Sequence, residues 1–343
     1  MKIILDAMGG DNAPEAVVLG ALDAAKDLNT EIILVGRGDE ILAAMKRNGV
    51  SDLPAGVAIA HADDVVDMHD DPAAVLHKRK NSSMVVGLKM LAEGEGDAFV
   101  SAGSTGALLT AATLVVKRVK GIRRAAMAPA FPNKAGGRTI ICDCGANAEC
   151  TPEFLLQFAI VGSLHAKKVL GLANPRVGLL NIGTEDSKGT ALQLVTYPML
   201  VDAHEKGLIN FIGNVEARQV PLGEVDVVVC DGFSGNVLLK SIEGTAMFLG
   251  SKISGMFKKN IVSKLAAMLV MKDIKAFKKL LDYREIGGTQ FVGIKKPVIK
   301  AHGSSDARAF YNAVRQAVDA ANNNTAEELE DALKQISTAK EKA

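Results

Sequence analysis

The stretch "LDAMGGDNAPEAVVLGAL" (residues 5–22) decides the fold. It reads as the end of an apolar strand, then a glycine turn, then a helix with apolar residues three and four apart. A strand entering a helix through glycines presents backbone N–H groups to an anion. Here Asp6 and Asp11 flank Gly9 and Gly10, so carboxylates stand where an anion would be repelled. The ligand must therefore want amides while the carboxylates serve another purpose.

The same grammar recurs along the chain. "KIILD", "EIILVG", "VAIA", "DAFVSA", "TIICDCG", "VGLLNIG", "NFIGN" and "VDVVVCDG" are strand candidates, separated mostly by amphipathic stretches of helical spacing. Repeated strand-helix-strand units predict an α/β fold with a mostly parallel sheet and helices on both faces. The strands end in Gly, Asp, Asn, Ser or Thr, as in "SAGSTGA", "DCGAN", "NIGTEDSKG" and "DGFSGN". Loops at the carboxyl ends of parallel strands converge on a crevice. Without a Pro- or Ser-rich linker between them, residues 1–343 are expected to form a single catalytic unit.

Each loop carries its own chemistry. Ser104, Thr105 and Gly106 can form an anion-binding nest or a simple capped turn. Lys188, between Gly183 and Gly189, is a point charge suited to phosphate or a developing oxyanion. Gly235 and Asn236 open a helix, where the Asn amide can donate to a carbonyl oxygen that becomes negative. Asp143 can orient a donor, and Asn147 can bind substrate or close an Asx turn. His302, in "KAHGSSD", is the best placed histidine for proton transfer. A Walker lysine, a complete G-x-G-x-x-G, a G-x-S-x-G elbow and an H-E-x-x-H pair are all missing, so neither a covalent nucleophile nor a metal-bound water is announced.

Composition narrows the classes. Hydrophobic residues make up 48% of 343 and aromatics 4%, which suits layers of Ala, Val, Leu, Ile and Gly. With 40 basic and 39 acidic residues there is no global field for nucleic acid. The start "KIILDAM" lacks a leader pattern and no apolar run spans a bilayer, so a cytosolic protein is expected. Cys142, Cys144, Cys150 and Cys230 read as reduced structural thiols, not as a metal site, and no cofactor is expected.

Residues 251–285 depart from the pattern. Phe257, Ile261, Leu265 and Met268 recur at helical spacing among many lysines, opposed by Asp273 and Asp282. Such a segment can lie on an anionic membrane or pack as a helical hairpin at a subunit interface. Residues 325–343 read as a terminal helix capped by Thr325.

Taken in order, "DAMGGD", "SAGSTGA", "DCGAN", "NIGTEDSKG", "DGFSGN" and "KAHGSSD" resemble the bacterial phosphate acyltransferase family, from residue 1 to about residue 322. The resemblance implies a Rossmann-like three-layer α/β/α fold with a protruding helical hairpin. It implies transfer of a fatty acyl group from acyl-acyl carrier protein to inorganic phosphate, by a homodimer peripheral to the membrane. The acyl phosphate would pass to a membrane glycerol-3-phosphate acyltransferase. It also assigns catalysis to Lys188 and Asn236, and membrane contact to the tip carrying Phe257, Ile261, Leu265 and Met268.

Under that reading Asp6 and Asp11 hold their loop and orient Lys188 or Asn147, leaving the Gly9 and Gly10 amides to the ligand. The sequence departs from the family in having Ser104 where Asn is usual and His77 where Arg is usual, although Lys78, Arg79 and Lys80 keep that run basic for an acidic carrier. Alternatives are a phosphotransacetylase-like enzyme using coenzyme A, a nicotinamide dehydrogenase on a related fold, and a non-catalytic membrane-surface scaffold.

Overall fold

Val, Ile and Leu fill the runs that become strands, and alternation along each strand supplies two apolar faces. The computed structural model describes residues 1–323 and 325–340. Its strands are β1 (Lys2–Asp6), β2 (Glu31–Gly36), β3 (Val57–His61), β4 (Ala98–Ser101), β5 (Ala126–Met127), β6 (Ala130–Pro132), β7 (Arg138–Cys142), β8 (Arg176–Asn181), β9 (Asn210–Glu216), β10 (Val227–Val229), β11 (Gly288–Val292) and β12 (Val298–Ala301).

They form two sheets. One runs β3-β2-β1-β4-β12-β11-β5 and the other β6-β7-β10-β8-β9. Strands β3 to β12 of the first sheet pair in parallel, with β11 and β5 added antiparallel. In the second, β7, β10, β8 and β9 are parallel and only β6 is antiparallel. The expected α/β class with mostly parallel pairing is what the chain builds, divided between two sheets.

In the first sheet, Ile3 and Leu5 of β1 pack with Val17, Phe310 and Val314 of the helices Glu15–Asp27 and Ala307–Asn322, while Ile4 faces Val85 and Leu88 of the helix Ser83–Glu93. Gly20 lets those first two helices touch, since a Cβ there would stand 2.5 Å from the Ala307 carbonyl oxygen. In the second sheet, Ile140, Val177 and Val227 pack against the helix Pro152–Val169, and Ile141 and Val228 share the other face with Leu238. Burying a side chain such as Phe99 or Phe310 contributes about 1.5–3 kcal/mol.

Residues 251–285 are helical, as expected: the helix Gly232–Lys258 runs on into Ile261–Leu269 and Met271–Leu281. Asp231 caps the start of the first helix, accepting from Ser234 N, and Asn260 caps the second, accepting from Ser263 N, both at 2.8 Å. The terminal helix spans Ala326–Lys340. Among the described residues, no helix is long and apolar enough to cross a membrane.

Candidate active site

The site is built where strand ends of both sheets meet. Beyond β1, the Asp6 carboxylate turns inward and accepts from Ser83 Oγ and Ser101 Oγ, each at 2.6 Å, and from Met8 N at 3.2 Å. Burial pushes its pKa above the usual carboxylate range, and these hydrogen bonds oppose the shift. Gly9 is required by this closeness, because a Cβ there would lie 2.5 Å from Asp6 Oδ2 and 2.9 Å from Gly103 N. Gly10 has φ +105° and abuts Ala102 and the Gly303 carbonyl. Asp11 N donates to that carbonyl at 2.9 Å, and Asn12 Nδ2 to the carbonyls of Ser304 and Ser305, both at 3.2 Å. The loops after β1, β4 and β12 are thereby tied together.

In the second sheet, buried Asp143 organises the loop after β7. It accepts from Met127 N, Cys144 N and Asn147 N at 2.8, 2.7 and 2.6 Å, and from Asn147 Nδ2 at 2.9 Å. Asn147 Nδ2 also donates to the Ala125 carbonyl at 2.8 Å, so its amide hydrogens serve the loop. The carboxylate that orients Asn147 is thus Asp143, and the expectation for Asp6 and Asp11 is corrected: Asp6 is engaged with serines, and Asp11 faces Gly303. The start of the helix Gly232–Lys258 is pressed against the same loop. Gly232 N donates to the Asn147 carbonyl at 2.7 Å, and a Cβ on Gly235 would lie 2.0 Å from the Asp143 carbonyl oxygen. This contact places Asn236 beside Gly145, whose own Cβ position would be 3.8 Å from Asn236 Oδ1.

A cavity of about 1570 Å³ joins the two sides. Its polar lining includes Asp11, Thr105, Asn236, Lys240, Lys300 and His302, and the helical hairpin adds Met247, Ile253, Phe257, Met268 and Phe277 beside Lys258, Lys264 and Asp273. Of the residues named from the sequence, Asp11, Thr105, Asn236 and His302 line this one cavity. Ser104 is buried behind them, Gly106 packs against Pro72, and Gly9, Gly10 and Gly235 shape the backbone beneath.

Lys188 is exposed and is not among the cavity-lining residues. It and Asn236 nevertheless follow neighbouring parallel strands, β8 and β10, and so leave the same edge of the second sheet. The Lys188 loop is held by Asn214 Nδ2 donating to the Glu185 carbonyl at 2.7 Å, and by Asn181 Nδ2 donating to the Lys188 carbonyl at 3.0 Å. Ile261, Met268 and Leu265 are 76%, 69% and 58% exposed, Met268 also lining the cavity, whereas Phe257 is half-buried and lines it.

Electrostatics favour neutral nucleophile candidates in a cavity lined by charges of both signs, Lys240 being paired with Glu243 at 2.7 Å. Burial pushes the Cys144 thiol, which lines the cavity, up to about 12, so it stays protonated. Burial and the cations Lys240 and Lys300 hold His302 below the usual imidazole range. His302 Nδ1 lies 2.9 Å from Ser304 Oγ and accepts from Ser304 N at 3.3 Å, which holds the ring in place. Burial lowers Lys300 to about 8, against the attraction of Asp6 and Asp11. Sequence reasoning missed Lys240 and Lys300. The signal for Lys300 was a lysine inside the apolar run "VIKA". Among the described residues, no group of three His, Cys, Asp or Glu side chains could hold a metal ion.

Comparison with solved structures places the fold. A phosphotransacetylase from Streptococcus pyogenes superposes with a TM-score of 0.62 at 20% identity, covering 94% of each chain. A putative 4-hydroxythreonine-4-phosphate dehydrogenase from Salmonella typhimurium superposes with a TM-score of 0.54 at 13% identity, covering 93% of this chain and 99% of that one. The architecture is thus shared by transferases and dehydrogenases and does not choose between them. Sequence relatives do. The chain is 44% identical over 336 residues to a phosphate acyltransferase from Bacillus licheniformis, covering 98% of this chain and 99% of the relative. It is 45% identical over 317 residues to one from Thermoanaerobacterium thermosaccharolyticum, covering 92% of each. A family described as "Fatty acid synthesis protein" matches residues 1–328. The chain belongs to this family, that of the phosphate acyltransferases, and is an acyltransferase.

Proposed function

We propose that the chain transfers a fatty acyl group, reversibly, from acyl-acyl carrier protein to inorganic phosphate, giving acyl phosphate for phospholipid synthesis. The observation that carries this reading is the cavity itself: Asn236, Lys300 and His302 line it together with many apolar side chains of the helical hairpin. Its volume of about 1570 Å³ exceeds the roughly 300–1,000 Å³ of ordinary small-molecule pockets, leaving room for a long chain beside a polar headgroup.

Phosphate is already an oxyanion near neutral pH, so the reaction asks for positioning and charge stabilisation more than for a protein nucleophile. A phosphate oxygen attacks the thioester carbon, the carbonyl oxygen becomes negative, and the carbon–sulfur bond then breaks to release thiolate. The proton lost as the phosphate becomes acyl phosphate ends on the thiol. Asn236 donates to the carbonyl oxygen, and Lys188, on the neighbouring strand end, adds positive charge. The protonated thiols support direct transfer without an acyl-enzyme.

In this reading the enzyme works in the cytoplasm as a homodimer. The exposed side chains of Ile261, Val262, Leu265 and Leu269 rest on the membrane, where a glycerol-3-phosphate acyltransferase takes up the product. Incubation with palmitoyl-carrier protein and phosphate should give hydroxylamine-trappable acyl phosphate, faster than with palmitoyl-coenzyme A. Preference for coenzyme A would favour a phosphotransacetylase-like donor. Phosphate-dependent thioester loss that survives Lys188→Ala and Asn236→Ala together would remove the assigned residues.

A further inference from the structure

β12 is a short central strand whose other residues, Val298, Ile299 and Ala301, are fully buried. Lys300 interrupts it and is itself only 9% exposed. Its Nζ donates to the Ala102 carbonyl at 3.3 Å and to the Ala301 carbonyl, which stand at the carboxyl ends of β4 and β12. An ammonium has three hydrogens, so these two carbonyls leave one N–H, and the residue lines the cavity shared with Asn236.

A buried charge is costly unless an opposite charge and hydrogen bonds complete its shell. Among the described residues, Lys300 forms no ion pair. Asp6 gives its oxygens to Ser83 and Ser101, and Asp11, which lines the same cavity, attracts Lys300 without pairing with it. The protein thus holds a buried lysine, bonded to two carbonyls and to no carboxylate among the described residues, at the wall of the cavity. Lys188, by contrast, is a solvated lysine outside the lining, where water competes for any anion.

We infer that Lys300 is the phosphate anchor of the site, its remaining N–H bonding an oxygen of the inorganic phosphate that attacks the acyl group. The inference rests on phosphate being the acyl acceptor. It makes Lys300 a catalytic residue that touches substrate, with Lys188 adding charge from outside. The same cation could meet a phosphodiester of the acyl donor, and kinetics with each substrate varied separately distinguish the two.

The test combines kinetics with a measurement on unaltered enzyme. Lys300→Met should raise KM for phosphate at least tenfold and leave KM for the acyl donor within twofold, with Lys300→Arg between wild type and Met. Calorimetric titration with inorganic phosphate should show the same weakening. In the unaltered enzyme, saturating phosphate should slow reductive methylation of Lys300 at least fivefold, read by mass spectrometry, and leave Lys188 unaffected. This arm stands even if Lys300→Met does not fold. An unchanged phosphate KM, a rise confined to the acyl donor, or methylation of Lys300 indifferent to phosphate would overturn the anchor while leaving phosphate as acceptor. Wild-type enzyme that consumes no thioester when phosphate is added would sink the acceptor reading and the anchor with it.

Discussion

Asp143 Oδ2 holds Asn147 twice, by its backbone N–H at 2.6 Å and its side-chain Nδ2 at 2.9 Å. The other carboxylate oxygen takes Met127 N and Cys144 N at 2.8 and 2.7 Å, so one buried side chain fixes the whole turn after β7. Removing it strands several donors in a place water does not reach. Asp143→Ala should destabilise the protein by about 3 kcal/mol, taking the cost of lost hydrogen bonds to a charged group. Urea unfolding at neutral pH checks this. A loss below about 1 kcal/mol would mean that water enters the turn.

Backbone contact, more than any side chain, positions Asn236. A Cβ added at Gly235 would lie 2.0 Å from the Asp143 carbonyl oxygen and 2.9 Å from Cys230 Sγ, so the helix start would have to move. Gly235→Ala should lower kcat/KM by about a hundredfold, as a displacement of roughly 1 Å at a catalytic group does. Gly244 lies farther along the same helix with nothing within 4 Å of its Cβ position. There the same substitution should raise stability by up to about 1 kcal/mol through helix propensity, with turnover unchanged. Measuring both variants side by side separates close approach from a general intolerance of that helix.

Asn236 itself is expected to act on the transition state. If it donates to the developing oxyanion, Asn236→Ala should lower kcat by about 10²–10³ with little change in KM for either substrate, as loss of one such donor does elsewhere. A rise in KM at constant kcat would instead make it a ground-state binding residue.

Much of this was legible in the sequence, and the exceptions have physical causes. The apolar runs of β1, β2 and β8 read directly as strands. β5 and β6 have only two and three residues, too few to show a period, and β11 opens on Gly-Thr-Gln. β12 escaped because Lys300 breaks its apolar run, and that interruption is the functional feature. The glycine loops could be ordered along the chain but not paired. That Asp143 and not Asp6 would orient Asn147 depends on which strand ends face each other, and sheet order is not written in local spacing. Lys188 stood out because glycines flank it, yet flanking glycines say nothing about solvent exposure.

His165 gives a pH prediction independent of catalysis. It is buried in the helix Pro152–Val169, and burial lowers its pKa from 6.5 to about 4. Between those values the unfolded chain binds a proton that the folded chain refuses. Stability present above about pH 6.5 is therefore lost as the pH falls toward 4. At pH 5 the loss from this residue should be about 2 kcal/mol, and His165→Leu should flatten that limb of the stability curve. Denaturant midpoints at pH 7.5 and pH 5.0 for both proteins give the comparison. An equal acid loss in the variant would assign it to other groups.

The helical hairpin carries apolar side chains with two different outlooks. Ile261 and Leu265 are largely exposed, while Phe257 is half-buried and lines the cavity. If the exposed pair rests on lipid, Ile261→Asp with Leu265→Asp should lower the fraction bound to anionic vesicles by at least about tenfold, because two partly buried aliphatic side chains are worth a few kcal/mol of transfer. Turnover of palmitoyl-carrier protein in vesicle-free buffer should stay near wild type. Phe257→Asp places a charge against the apolar wall, and turnover should fall even without vesicles. Sedimentation and the soluble assay, run on the same preparations, divide the hairpin into a lipid-facing and a substrate-facing side. Coincident loss of both properties in both variants would mean that the hairpin acts as one packed unit, and the membrane reading would then lose its support.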